Sequence, residues 1–249
     1  MPPHSANVQT DARTNYAGVR ELWSNEKFLT NYNLDIVSKV SGHFGRLPDV
    51  LEFGAGIGTL SRLWFARTGV QPDCLEIDDG LRTIIAERGF RCYGSLDEVH
   101  TAYDGIFTSN VLEHIEDDVA VLKKLYRLLK PGGMLAVYVP AFMLLYSHID
   151  EAVGHYRRYR RRELLHKLEQ AQFAIEQCYY VDCVGFFAWL GMKMLGPGKN
   201  GSSGGDGDSL DRNLHLYDKY GYPVSALLDA LAFRHLFGKN LLAIARRTQ

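Results

Sequence analysis

The residues with chemistry to offer fall in three stretches. In the first, Gly54, Gly56 and Gly58 stand at alternate positions behind the apolar run Val50-Leu51, with Glu52 inside the run and Glu76 further on. Glycines permit positive φ and let a ligand approach the bare backbone. The helix start that follows offers free N–H groups and a partial positive charge. In the second, the apolar segment from Gly105 to Thr108 passes into the polar pair Ser109-Asn110 and then Val111-Leu112-Glu113-His114. Histidine titrates near neutrality, so His114 could act as a base toward a hydroxyl; equally, it could position a ligand or pack beside one. In the third, residues 147–159 carry His148, Asp150, Glu151, His155, Arg157 and Arg158, and five of the six residues from Arg157 to Arg162 are arginines. An arginine fork can hold a carboxylate or phosphate in bidentate fashion. The same side chains could instead pair with Asp150 and Glu151 to stiffen the loop, while Arg160 to Arg162 read as a solvated face.

The glycine spacing separates the candidate ligands. A dinucleotide loop follows G-x-G-x-x-G, which would need a glycine where this chain has Thr59. From Glu52 the chain reads E-x-G-x-G-x-G, which resembles the first motif of class I S-adenosylmethionine (SAM)-dependent methyltransferases. Val111-Leu112-Glu113-His114, followed by Leu129-Lys130-Pro131-Gly132-Gly133, resembles a block of their small-molecule members. Asp150 to Tyr159 resembles a subgroup with the pattern D-x-x-x-G-H-x-R-R-Y.

The resemblance implies SAM as cofactor and S-adenosylhomocysteine as its product. The loop of Gly54, Gly56 and Gly58 would wrap the methionine part, with Glu52 near the ammonium group. Glu76 follows Gly58 at close to the spacing of about 20 residues expected of a ribose-binding acid. A carboxylate can accept from both vicinal hydroxyls, and Glu76 is favoured over Asp78 and Asp79, with Ile77 beside it. Leu96 and Asp97 fall in the loop that passes the adenine, although Asp97 could equally cap a helix from Glu98. Tyr32 lies where members carry an aromatic near the cofactor; packing against the sheet is its alternative. Asn110, Val111 and Leu112 follow the end of a strand and should border the methyl end together with His114. His114, His148 and His155 are the candidate bases, and Tyr146, Asp150, Arg157, Arg158 and Tyr159 are the candidate acceptor contacts.

These residues need an α/β frame. The resemblance implies a seven-stranded, mostly parallel, doubly wound sheet, with an amino-terminal helical cap and a helical insertion before the last strand. A disordered tail is expected over 1–14, polar and without the apolar core of a signal peptide. Apolar residues at helical spacing through Tyr16–Phe44 give a cap over 15–45. The SAM-binding core spans 46–182 and the insertion 183–237, and 238–249 return as the final strand. Within the insertion, an apolar helix from Val184 to Leu195 and a second from Val224 to Leu236 flank a flexible glycine- and serine-rich loop over 196–209. The first of these is too short to span a bilayer, which needs about 20 residues. It could be core, wall an apolar substrate pocket through Phe186 and Trp189, or rest on a membrane interface.

Composition is compatible. The 249 residues are 46% hydrophobic, enough for one large core. A net charge of −1 gives no global field toward nucleic acid or anionic membrane. Asn110 also runs into Val111-Leu112-Glu113 rather than the D/N-P-P-Y/F pattern of nucleic-acid methyltransferases. Cys74, Cys92, Cys178 and Cys183 show neither C-x-x-C nor zinc spacing and read as reduced residues of a cytoplasmic protein. No metal cluster is evident in the spacing, so metal dependence is not expected. The expected reaction is in-line transfer of the SAM methyl to an oxygen, hydroxyl or carboxylate, of a small apolar or aromatic metabolite, where orientation alone is worth several kcal/mol. N-methylation and a non-catalytic SAM-binding role are the alternatives, and a monomer or homodimer is the expected state.

Overall fold

The computed structural model describes Thr14, Tyr16 and residues 18–195, 207–231 and 233–248. Its centre is a seven-stranded sheet of β1 (Val50–Phe53), β2 (Asp73–Leu75), β3 (Cys92–Tyr93), β4 (Tyr103–Ser109), β5 (Leu129–Pro140), β6 (Phe173–Val181) and β7 (Asn240–Arg247), in the order β3-β2-β1-β4-β5-β7-β6. The first five strands pair in parallel, whereas β7 runs antiparallel to both β5 and β6. All four residues of β1 are buried, as a strand in a parallel sheet covered on both faces should be, and Glu52 is buried with its apolar neighbours Val50, Leu51 and Phe53.

The helices divide between the faces. They are α1 (Val19–Phe28), α2 (Thr30–Phe44), α3 (Thr59–Thr68), α4 (Asp79–Glu87), α5 (Asp118–Leu128), α6 (His148–Ala152), α7 (Arg161–Gln170), α8 (Cys183–Leu195), α9 (Gly207–Leu216) and α10 (Tyr222–Leu231). On one face, Leu122 and Leu125 of α5 and Leu164 and Leu168 of α7 pack with Leu51, Ile106, Leu135 and Val137. On the other, Ile36, Val37, Val40 and Phe44 of α2 and Leu60 and Trp64 of α3 meet Phe107, Ala136 and Tyr138. The alternation along β5 is the two-residue period of a strand.

Several boundaries depart from the sequence expectation. The cap is broken at Leu29 into α1 and α2, because the first N–H groups of α2 find their acceptor elsewhere. Asn31 and Tyr32 both donate to the Asp218 carboxylate at 2.9 Å. β5 begins at Leu129, so the Lys130–Gly133 stretch belongs to the strand. The tail over 1–13 and most of the loop over 196–209 lie outside the described residues, but Gly207 to Ser209 already belong to α9. The second insertion helix is α10, preceded by a π turn, Tyr217–Gly221, and followed by the short turn Phe233–His235. A wholly buried α8 is also corrected, because Phe187, Met192 and Met194 are exposed. No helix of the described residues is long and apolar enough to cross a membrane.

A buried polar knot joins the insertion to the sheet. Asp229 of α10 accepts from the Asp182 N–H at 2.6 Å and the Cys183 N–H at 3.2 Å, which caps α8, and Ser225 donates to Asp182 at 2.9 Å. The cap on α2 is a comparable tie. Replacing a capping carboxylate by alanine costs about 1–2 kcal/mol. Asp218→Ala should therefore lower the unfolding free energy by that amount, read as a lower urea midpoint at unchanged slope by circular dichroism.

Candidate active site

The carboxyl ends of β1, β2 and β4 open on one crevice, the place where an open α/β sheet accepts a ligand. Gly54, Gly56 and Gly58 turn the chain there at φ of 75°, 58° and 77°. A Cβ on Gly54 would lie 2.3 Å from Val111 Cγ2, so only glycine lets the loop lie against that side chain. α3 starts directly behind the loop with no side-chain cap. Glu76 accepts from the N–H groups of Gly56 at 2.8 Å and Asp78 at 3.1 Å. Ile77 beside it is 79% exposed. Glu52 sits under the loop, hydrogen-bonded by the Ser61 hydroxyl, and burial pushes its carboxyl up to about 8.

Other expected cofactor contacts are placed less simply. Asn110 ends β4 at φ 54°, a strained position for a non-glycine residue. Val111 reaches the crevice against Gly54, whereas Leu112 is wholly buried in the core. Tyr32 packs edge-on to Tyr138 and Tyr222, at 6.0 and 5.3 Å between centroids, and its hydroxyl meets the Asn110 side chain. Leu96 packs on the core. Residues 96–98 form a single 3-10 turn, so Asp97 caps no helix there; it pairs at the surface with Lys124 at 3.4 Å.

On the acceptor side, the structure brings together His114 and His155, with ring centroids 4.5 Å apart, and the carboxyl of Glu113. His155 Nδ1 is 2.8 Å from Asp150 Oδ1, and its Nε2 lies 3.8 Å from Glu113 Oε1. Burial, with His155 alongside, pulls the His114 imidazole down to about 4. His148 stands exposed at the start of α6, apart from this group. The Glu113 carboxyl is fully buried, neither oxygen has a hydrogen-bond partner, and burial pushes it up to about 8.

The arginines resolve toward stiffening the loop. Arg158, 3% exposed, clamps Asp150 through Nε at 2.8 Å and Nη2 at 3.0 Å. Arg157 holds Asp118 at 2.9 Å, and the buried Tyr159 hydroxyl meets the same carboxylate at 2.8 Å. Arg157, Arg158 and Tyr159 thus each have a carboxylate partner within the chain, the loop-stiffening alternative, while Arg158 Nη1 is buried without a hydrogen-bond partner. Tyr146 donates to the His155 carbonyl at 2.7 Å. Trp189 donates to the Leu145 carbonyl at 3.0 Å and lies between the Arg158 and Lys239 cations, 5.2 and 4.6 Å from its ring. Phe186 packs in an aromatic group with Phe142, Phe187 and Phe237.

Sequence reasoning passed over two residues here. Glu113 was legible only as an acid inside the apolar Val-Leu-x-x-Ile run. Tyr16, whose ring stands 6.4 Å from His114 and whose hydroxyl is pushed up to about 12, first by burial and then by Glu113 and Glu76, carries no local signal. One electrostatic feature unites the crevice. Among the described residues, no lysine or arginine forms an ion pair with Glu52, Glu76 or Glu113.

A family model described as a methyltransferase domain matches residues 25–178. No curated protein matches the sequence. Among solved structures, a phosphoethanolamine N-methyltransferase 2 from Haemonchus contortus, in complex with S-adenosyl-L-methionine, is similar at TM-score 0.62 and 16% identity. The match covers 100% of this chain and 62% of that one. A 1,6-didemethyltoxoflavin-N1-methyltransferase from Burkholderia thailandensis matches at 0.58 and 18%, covering 94% and 84%. A SAM-dependent methyltransferase from Archaeoglobus fulgidus matches at 0.57 and 18%, covering 91% and 99%. At these identities the likeness is one of fold.

The buried Glu52 gives a pH signature. Its folded pKa of about 8 lies above the unfolded value near 4.3, so the folded state keeps a proton that the unfolded chain has released between those values. Stability from this group is complete below about pH 4 and is lost as pH rises through 8. Glu52→Gln should flatten the fall in unfolding free energy between pH 5 and 8 by up to a few kcal/mol, followed by urea titration at each pH.

Proposed function

The chain belongs to the methyltransferase-domain family, and we propose that it moves the methyl group of S-adenosylmethionine to an oxygen of a small acceptor. The cofactor supplies the methyl on a sulfonium that is itself the leaving group. The observation that carries the proposal is charge. Glu76 lies at the crevice with no lysine or arginine ion pair among the described residues, and the buried Glu52 and Glu113, which keep their protons near neutral pH, bring no positive charge there, so the crevice admits a ligand with ammonium and sulfonium groups and opposes a pyrophosphate. The glycine loop would lie along the methionine part. Glu76 keeps acceptor capacity for ribose hydroxyls, and the exposed Ile77 offers an apolar face to the adenine.

For the acceptor, the supporting feature is the His155–Asp150 pair. Asp150 fixes Nδ1, so Nε2 faces Glu113 and His114. An imidazole steered in this way can take a hydroxyl proton at Nε2 as the oxygen attacks in line. The aromatic group around Phe186 favours an apolar or aromatic acceptor. Arg158 and Asp150 would act by holding this loop, not by touching the acceptor.

Methyl-labelled SAM offered with phenols, aliphatic alcohols, carboxylic acids and amines tests the proposal. O-methyl product, reduced by His155→Ala, supports it. Transfer to amines alone overturns the oxygen assignment, and S-adenosylhomocysteine binding without any transfer places the chain among binding proteins. Gly54→Ala, which forces a Cβ into Val111 at a positive φ, should weaken S-adenosylhomocysteine at least about tenfold by calorimetry, some 1.4 kcal/mol.

A further inference from the structure

We propose that Glu113, His114 and His155 form a binding site for one divalent first-row transition cation at the acceptor end of the crevice. The ligand atoms of the three side chains lie within 4.8 Å of one another. Donors sharing one ion at the usual 2.0–2.2 Å stand about 3.4 Å apart in tetrahedral geometry. Small side-chain rotations close the difference, since His155 Nε2 and Glu113 Oε1 are already 3.8 Å apart.

Three further features point to a cation. The first is the Glu113 carboxyl, fully buried with both oxygens lacking hydrogen-bond partners. Such a group is costly unless something absent from the protein satisfies it. The second is the outer arrangement of the histidines. Asp150 takes Nδ1 of His155 at 2.8 Å and leaves Nε2 for a metal, and the His114 ring stands edge-on to it with centroids 4.5 Å apart. A carboxylate or a carbonyl on the far nitrogen is how proteins orient metal-binding imidazoles. The third is rigidity, because Asp150 is itself clamped by Arg158 through two nitrogens and by the Ser147 N–H at 2.9 Å.

Two imidazoles and one carboxylate suit Zn²⁺, Mn²⁺, Fe²⁺ or Co²⁺ better than Mg²⁺ or Ca²⁺, which prefer all-oxygen shells. Three protein ligands also leave coordination positions open, as catalytic sites do. The role of the ion, though not its binding, rests on the oxygen transfer proposed above. With the ion bound, His155 Nε2 is a ligand rather than a base, so an acceptor hydroxyl at an open position would be acidified by the ion and release its proton to water. Its oxygen then forms a bond to the methyl carbon as the carbon–sulfur bond breaks, and that electron pair returns to sulfur. Ligand spacing along the chain does not reveal such a centre, since His155 is remote from the Glu113-His114 pair.

The test uses the full chain freed of metal by chelation, with no SAM and no acceptor present. Zn²⁺ titrated by calorimetry, and Mn²⁺ by electron paramagnetic resonance, should show one ion per chain. Glu113→Gln and His155→Ala should each weaken binding about 100-fold or more, and Asp150→Asn about 10–100-fold. His148→Ala should leave it unchanged. Circular dichroism establishes that each variant is folded; if Asp150→Asn is not, Glu113→Gln carries the test alone. Absence of a stoichiometric ion, or binding indifferent to Glu113→Gln, overturns the proposal. Methyl transfer to a hydroxyl that persists undiminished in chelated, ion-free protein overturns the ion's part in the transfer and leaves the proposed function standing. One bound ion without methyl transfer to any oxygen leaves the metal site standing and removes the proposed function.

Discussion

Asp150 holds the acceptor side of this molecule together. It is almost fully buried and receives hydrogen bonds from His155, from two nitrogens of Arg158 and from the Ser147 N–H, the last as part of a capping box that starts α6. Burial works against its charge, but the hydrogen bonds from His155 and Arg158 hold its carboxyl well below the usual range. Breaking one side of such a pair leaves an uncompensated buried charge, which makes the geometry all-or-none. The orientation of His155, the burial of Arg158 against Trp189 and the path of the loop from Tyr146 to Tyr159 are all set by this carboxylate.

The sheet supplies the matching constraint on the cofactor side. Four strands leave the sheet through a left-handed residue: Gly54 after β1, Asn110 after β4, Phe142 after β5 and Asp182 after β6. Only one of these is a glycine, and the other three hold a conformation that surrounding contacts must enforce. Asn110 is enforced by its N–H on the Tyr138 carbonyl at 2.8 Å, and Phe142 by its N–H on the Tyr159 carbonyl at 2.9 Å. Backbone strain is thus concentrated along the carboxyl edge, where the crevice lies and turns must be sharp.

What the sequence disclosed follows from the range over which each feature is determined. The glycine loop and the strand-to-helix switch behind it depend on neighbours a few residues apart. The strands and the loop were legible for that reason. The break at Leu29 was not, because the acceptor that caps α2 is Asp218, 187 residues away. The arginine run has the same character. Arg158 meets Asp150 only eight residues earlier, which the sequence offered as one alternative, whereas Arg157 and Tyr159 meet Asp118, each across about 40 residues. Glu113 escaped notice because an acid next to a histidine reads as solvated until the surrounding core is seen to bury it.

The bonds between the first helices and the insertion also bear on synthesis. Ser24 donates to Asp211, Asn31 and Tyr32 to Asp218, and Tyr222 to Asp35. Every one of these partners is made late, while the helices they secure are made first. A ribosome releasing the chain in order therefore exposes α1 and α2 long before these hydrogen-bond partners exist, and contacts of such sequence separation form slowly. During translation the sheet can assemble strand by strand from β1 to β5, but α1 and α2 are secured only once the segment from Asp211 to Tyr222 has emerged.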